Sequence, residues 1–276
     1  MPARKIAVPA GLGILAEQIA AGQRPPAQPR DAATVILLRP GAAGLEVLML
    51  ARARAMDFAP GAHVFPGGSL DPQDASVPWQ GPAPHGLGVP DERARALACA
   101  AIRETFEESG VLLAVAAQAQ PPARDLIRDA AQQLAQDRQD LLAGAVSFAD
   151  VLTRHGLTLR ADLLTPWTRW ITPEAADRRF DTWFFVAAMP AGQAADASAE
   201  SDSIDWLRPA DALDDARAGR LTLLPPTAVA LAEVGGYPDL PAVLAAPRAI
   251  TPLMPVIQVQ DGAAWLSLPP GVEYPL

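Results

Sequence analysis

The segment that most restricts how this chain can fold runs from Asp91 to Ser109 and carries Glu104, Glu107 and Glu108 near its end. Ala94, Leu97, Ala98, Ala101, Ile102 and Thr105 recur at helical spacing. That spacing predicts one helix whose apolar stripe must be buried against the body of the protein, with Gly110 as its stop. The three glutamates stand at i, i+3 and i+4, so they project from one face within a few ångströms of each other. Like charges so placed repel unless solvent separates them or a cation joins them. An E-x-x-E-E run by itself reads as a solvated face. Here Arg103 precedes the run, Gly110 follows it and Phe65-Pro66-Gly67-Gly68 lies upstream, and those additions favour a cation site. Hard oxygen ligands in a compact cluster suit Mg²⁺ or Mn²⁺, above all when a polyphosphate supplies further oxygens.

The rest of the chain reads as a mixed α/β body around that helix. Thr34 to Leu38 and Leu45 to Ala51 are apolar, β-prone runs separated by a Pro- and Gly-containing turn, which predicts a hairpin. Met56 to Gly68 is a loop, and Ser69 to Pro90 is rich enough in Pro and Gly to read as a long surface insertion outside the core. Val111 to Val115 is expected to be extended. Between 122 and 165, Leu126, Ile127, Ala130, Ala131, Leu134, Leu141 and Leu142 make a broken helical face, and Ser147 with Asp150 forms a capping-box pattern that Gly156 closes. This helical insert is either structural or a substrate lid. Thr168 to Pro173 and Phe180 to Met189 read as core strands, Ile204 to Leu207 as a short strand, and Pro209 and Pro225 as helix starts. The last 30 or so residues hold short β-like runs.

Charge and composition narrow the function classes. A net charge of −9 and a pI near 4.8 argue against coating nucleic acid. They leave room for a small anionic substrate, because a metal and a few arginines reverse the local sign. Lys5 is the single lysine among 22 basic residues, so any phosphate anchor in the core must be arginine. Cys99 is the one cysteine, which excludes an intrachain disulfide and places a thiol in the apolar part of the helix. No apolar run approaches membrane-spanning length. The cytoplasm is therefore the expected compartment, and the sequence leaves a homodimer open.

The helix end resembles the second half of the Nudix hydrolase signature, G-x5-E-x7-R-E-U-x-E-E-x-G-U, with U a bulky apolar residue. Arg103, Glu104, Glu107, Glu108, Gly110 and Val111 match, Thr105 replaces an aliphatic residue, and Gly68 supplies the glycine end. Gly68 and Arg103 stand 35 positions apart against 14 in the pattern, so about 21 residues are inserted. Counted back from Arg103, the consensus glutamate falls on Arg95, with Asp91 and Glu92 nearby but out of register. The run Phe58 to Gly68, then Trp170-Ile171-Thr172-Pro173, Arg179-Phe180-Asp181-Thr182, Trp206 and Leu224-Pro225-Pro226-Thr227 resemble the branch with an interrupted signature to which the mammalian peroxisomal coenzyme A diphosphatase belongs. The resemblance spans roughly residues 33–230.

That resemblance implies a Nudix α/β/α sandwich with a mixed sheet, a helical insertion and a C-terminal extension. Residues 1–32 form a peripheral segment, 33–224 the hydrolase domain with insertions at 69–90 and 118–165, and 225–276 a C-terminal helix and extension packed on it. It implies hydrolysis of coenzyme A or acyl-coenzyme A to 3′,5′-ADP and 4′-phosphopantetheine with Mg²⁺ or Mn²⁺. Glu107 and Glu108 are then metal ligands, and Glu104 is a third ligand or the base that orients water. Arg103 holds Glu104 or its neighbours, and the Gly67-Gly68 backbone adds a carbonyl. Glu200, with Asp202 second, is the candidate further acid before Trp206. Other coenzyme A-type members carry an arginine four before Gly61; Asp57 stands there, so Arg52 or Arg54 is the candidate replacement. Arg169, Arg178 and Arg179 are further candidates for a 3′-phosphate, and His63 for a substrate contact or a loop brace. Two other functions stay open: a Nudix hydrolase of ADP-ribose, a dinucleotide or an oxidised nucleotide, and a non-catalytic nucleotide sensor.

Overall fold

A computed structural model describes residues 5–53, 59–118, 131–198 and 201–276, apart from the side chains of 131–133. Its first elements are β1 (Ile6–Ala7) and α1 (Ala10–Ala20). β2 (Arg30–Gly41) and β3 (Gly44–Arg52) form an antiparallel hairpin closed at Gly41 and Gly44. The hairpin is longer than its apolar runs, because Arg39 pairs with Glu46 across it at 2.7 Å. β4 (His63–Val64) pairs with β3, and β5 (Gly67–Ser69) with β2. β6 (Trp79–Gln80) lies within the insertion that leads to α2 (Asp91–Ser109). β7 (Val115–Ala116) precedes the helical insertion, which supplies α3 (Ala131–Leu142), α4 (Phe148–Arg154) and β8 (Leu157–Arg160). Leu126, Ile127 and Ala130 of its expected face lie outside the described residues.

β9 (Thr165–Ile171), β10 (Phe180–Ala188) and β11 (Ser201–Leu207) complete the body of the main sheet. α5 (Pro209–Arg217), α6 (Pro225–Gly235), α7 (Leu240–Leu244), β12 (Pro252–Leu253), β13 (Val256–Gln260) and β14 (Ala263–Ser267) follow. The main sheet runs β11-β3-β2-β10-β9-β12. It is mixed: β10 is parallel to β2 and β12 to β9, while the β11–β3, β3–β2 and β10–β9 pairs are antiparallel. β10 pairs with Arg30, Asp31 and Ala32, so these three belong to the central strand and not to the peripheral segment assigned from sequence.

Both faces of the sheet are covered, which is why β2 and β10 read as nearly unbroken apolar runs. Ala33, Val35 and Leu37 point to one face with Trp183 and Phe185, against Leu97, Ala101 and Ile102 of α2. Ile36 and Leu38 point to the other with Met49 and Val186, against Leu231 and Val234 of α6. Alternate residues of one strand thus build two cores, and the molecule is an α/β/α sandwich. β14 pairs with both β1 and β13, tying the first described residues to the C-terminal hairpin. Among the described residues no helix is long and apolar enough to cross a membrane.

The insertion between residues 69 and 90 departs from expectation. Ala83 and Leu87 are each 2% exposed and belong to the α2-side core. β6 pairs with β8 of the helical insertion. A 3₁₀ turn at Pro72–Ser76 carries a reciprocal capping box between Asp71 and Asp74, and Asp74 is buried. Proline and glycine shape the path of this segment but do not keep it on the surface, because a few apolar and acidic side chains pin it inward. Replacing Leu87 by Ala is expected to cost ~2–4 kcal/mol in urea unfolding. A loss under about 0.5 kcal/mol, ordinary for a surface site, would return the insertion to the exterior.

Candidate active site

The site forms where the last turns of α2 cross β5. Gly67 is required there by contact with backbone, and Gly68 leaves the space in which the Glu104 carboxylate lies. A Cβ on Gly68 would stand 2.4 Å from Glu104 Oε1, and one on Gly67 would stand 2.5 Å from Thr34 Cβ and 2.6 Å from the Ala33 carbonyl. The bare backbone lets the helix carboxylates approach the sheet edge. The Gly67 N–H uses that proximity and donates to Glu108 Oε2 at 2.9 Å. The amide, where sequence suggested a carbonyl, is the group that Gly67 turns to the carboxylates.

Arg103 organises the acids. Its Nη1 donates to Glu104 Oε1 at 3.0 Å and to Glu107 Oε1 at 3.2 Å. Its Nε and Nη2 grip Asp74 at 2.9 and 3.1 Å, and Nη2 also reaches the Ser69 carbonyl at 3.0 Å. Burial is the largest single influence and opposes its charge, but Asp74, Glu104 and Glu107 together outweigh it and hold the guanidinium protonated. Sequence analysis missed Asp74. The signal was available: Asp74 lies six positions after Gly68, the register of the consensus glutamate counted from the glycine end. The extra residues fall between that acid and Arg103, so counting back from Arg103 lands on Arg95.

Burial pushes the Glu104 carboxyl up to about 7; Arg103 opposes the shift and Glu107 adds to it. Thr105, at the aliphatic position of the signature, is buried and returns its hydroxyl to the Ala101 carbonyl at 2.7 Å. Cys99 is buried, its Sγ 3.4 Å from Asp74 Oδ1, and burial drives its thiol well above its usual pKa, so it is inert packing.

A cavity of about 470 Å³ opens beside these residues. Glu104, Glu108, Gly67 and Gly68 line one end. Thr34, Phe65, Trp170, Thr172, Thr182 and Phe184 line it as well, with Pro255 and Leu266 from the C-terminal segment. Glu107 and Arg103 instead border a second, polar hollow of about 330 Å³ between the two insertions, with Asp71, Asp74, Ser147 and Asp150.

The donor set has the chemistry of a hard-cation site: three carboxylates on one helix turn, one of them raised to about 7 by burial. Among the described residues no three acid, His or Cys groups are closed around a common point. Arg103 stands between Glu104 and Glu107, and Glu108 is turned to Gly67. The residues fit a divalent ion in kind, with the Arg103 guanidinium supplying the positive charge in the arrangement seen.

The candidate phosphate anchors separate. Arg52 lines the cavity, at the end of β3. Arg169 does not: it forms a two-pronged ion pair with Asp181 at 2.8 and 2.6 Å and stacks 4.1 Å above Trp183. Arg179 does not either, being buried with donors on the Thr172 and Ala27 carbonyls. Arg178 is exposed in the preceding turn, away from the cavity lining. Sequence proximity to a core strand suggests these three, but Arg169 and Arg179 are held by other partners and Arg178 is outside the lining. Arg54, Asp57 and Glu200 lie outside the described residues. Asp202 is exposed on β11. His63 sits on β4 outside the lining, its pKa lowered by burial and partly restored by Asp205.

A family model described as the NUDT19 Nudix domain matches residues 80–234. The chain is 30% identical over 220 residues to an acyl-coenzyme A diphosphatase NUDT19 of Xenopus laevis, covering 66% of this chain and 57% of that protein. It is 31% identical over 224 residues to the Homo sapiens protein of the same description, covering 68% and 60%. The match thus spans less than two thirds of these relatives' length. A crystal structure of a Nudix hydrolase from Alicyclobacillus acidocaldarius is 31% identical, with a TM-score of 0.63 over 79% of this chain and 96% of that one.

The Glu104 carboxyl gives a pH signature without added metal. Held at about 7 when folded against a usual 4.5, it keeps a proton over that interval that the unfolded chain releases. Stability therefore falls as pH rises from ~4.5 to ~7 and is level above, by about 3 kcal/mol in all. Urea unfolding in EDTA at pH 5 and pH 8 should show that difference between wild type and E104Q. Parallel pH dependence in both proteins would contradict it.

Proposed function

The chain belongs to the NUDT19 Nudix domain family of Nudix hydrolases, and from that premise we propose that it is a metal-dependent diphosphatase of coenzyme A or acyl-coenzyme A. The observation that carries the proposal is one juxtaposition. Glu104 and Glu108 line a cavity whose other lining residues are largely apolar and aromatic. A diphosphate held at the acids then directs one arm into that cavity, and the pantetheine or acyl arm of coenzyme A suits Trp170, Phe184 and Leu266.

In the reaction, water adds to one phosphorus, the bridging P–O bond breaks, and 3′,5′-ADP separates from (acyl-)4′-phosphopantetheine. Bound Mg²⁺ or Mn²⁺ would offset the diphosphate charge and lower the pKa of the attacking water. Glu107 and Glu108 would hold the ion. Glu104, whose carboxyl is held at about 7, is either a further ligand or the group that takes the proton from water. Gly68 leaves the space that Glu104 occupies. Arg103 is a positioning residue: its hydrogen bonds go to Asp74, Ser69, Glu104 and Glu107. Among the described lining residues Arg52 carries the only positive charge, which makes it the 3′-phosphate partner.

The aromatic wall supports a second reading. Trp170, Phe180 and Phe184 suit a stacked base as well as an alkyl chain, so ADP-ribose, a dinucleotide or an oxidised nucleotide is the alternative. Mass spectrometry of products from coenzyme A, its thioesters, ADP-ribose, NADH and nucleoside triphosphates separates the two. Release of 3′,5′-ADP from coenzyme A is expected. Turnover of ADP-ribose alone would favour the alternative, and no turnover of any compound would leave a nucleotide sensor.

Two substitutions sharpen the proposal. E107Q and E108Q should each lose ~10²-fold or more in kcat, the scale of a large electrostatic contribution; near wild-type turnover in both at saturating metal would remove the site. R52A should lose about tenfold to a hundredfold in kcat/KM for coenzyme A and little for dephospho-coenzyme A. Equal losses on both would show that Arg52 does not read the 3′-phosphate.

A further inference from the structure

Arg138 belongs to the helical insertion, far in sequence from the signature, yet it is 9% exposed and directed at the catalytic helix. α2 ends at Gly110 with φ +72°. The last carbonyls of a helix have no partner within it, and here outside groups meet them. The Gly110 N–H covers the Phe106 carbonyl at 2.8 Å, and the Asp196 N–H covers that of Ser109 at 2.8 Å. The Glu107 carbonyl falls to Arg138, whose Nε donates to it at 2.9 Å. Arg138 Nη2 donates at 3.0 Å to the Asp196 carbonyl. One guanidinium thus bridges the backbone of a candidate metal ligand and the loop that leads to β11. Its charge also lies at the negative end of the helix dipole and close enough to Glu108 to interact with it.

The surroundings hold Arg138 in that pose. A Cβ on Gly110 would come within 3.2 Å of its Nη1, so the glycine leaves room for the guanidinium as well as ending the helix. The neighbouring Asp137, 3% exposed, is clamped by Arg154 and by His155 Nε2 of the α4 end. Leu134 packs into the core that Phe106 and Phe148 share. α3 is therefore tied to α4 on one side and to the last turn of α2 on the other.

We infer that Arg138 is a positioning residue for the Glu107–Glu108 turn, and that the helical insertion acts through it to set how well that turn binds a divalent ion. The inference rests on the metal site proposed above. Loss of the guanidinium frees the Glu107 carbonyl and lets the turn carrying both carboxylates relax.

The test is Mn²⁺ binding by the full chain, followed by electron paramagnetic resonance, with thermal unfolding and kinetics alongside. R138M should bind Mn²⁺ about 10–100-fold more weakly, the usual effect of removing an outer support of a metal site. Its kcat should fall while KM for coenzyme A stays within about twofold. R138K keeps the charge but not the fork that spans two carbonyls, so it should recover part of the affinity. L134A loosens α3 packing without touching either carbonyl; it should lower Tm and leave Mn²⁺ affinity as in wild type. Wild-type Mn²⁺ affinity in folded R138M would overturn the inference, as would an L134A protein that loses Mn²⁺ as R138M does. Should R138M not fold, wild-type affinity in R138K overturns it equally. Failure of the underlying reading looks different: the wild-type chain itself would bind no Mn²⁺.

Discussion

The architecture of the site depends on how Arg103 is shared. Its side chain is 12% exposed and meets Asp74, Glu104 and Glu107 at once. A buried arginine is costly to desolvate, and the cost is offset only when its donors are met by acids in good geometry. Asp74, 2% exposed, supplies the two-point contact. That pair fixes the guanidinium at the foot of the carboxylate turn, and Nη1 is left to hold Glu104 and Glu107. Without it, acids crowded on one helix turn would repel each other into solvent. The interrupted signature survives its long insertion because the insertion leaves after Asp74, so the pair is kept in space.

The two insertions then read as supports for the carboxylate helix. The first follows directly on Asp74, which pairs with Arg103, and buries Ala83 and Leu87 beside α2. The second packs Phe148 near Phe106 and sends Arg138 to the helix end. β6 and β8 pair with each other, joining the two. On the proposed function, a chain with net charge −9 would meet its anionic substrate through a cation at the helix acids, beside a cavity that is largely apolar.

What the sequence made legible follows from periodicity and local chemistry. The helix from Asp91 to Ser109, its αL stop at Gly110 and the Ser147–Asp150 capping box are all found where spacing placed them. Helix spacing gathers Glu104, Glu107 and Glu108 at one end of α2, but it does not show that Glu104 and Glu108 line the cavity while Glu107 borders the other hollow. Gly67 and Gly68 were legible as a motif, but their reason, contact with Thr34 and Glu104, exists only in three dimensions. Long-range pairing was not legible. Arg169 and Arg179 looked available because sequence does not show Asp181 or the carbonyls that occupy them. Leu87 looked external because composition averages over the one or two side chains that anchor a loop.

The most direct test of the site is Mn²⁺ anomalous scattering from crystals grown or soaked with the ion. The account predicts density between Glu107 and Glu108, with Glu104 and the Gly67–Gly68 strand alongside, and with Arg103 still paired to Asp74. Density confined to the hollow near Asp71 and Asp150, or no density at the helix carboxylates at saturating Mn²⁺, would contradict it.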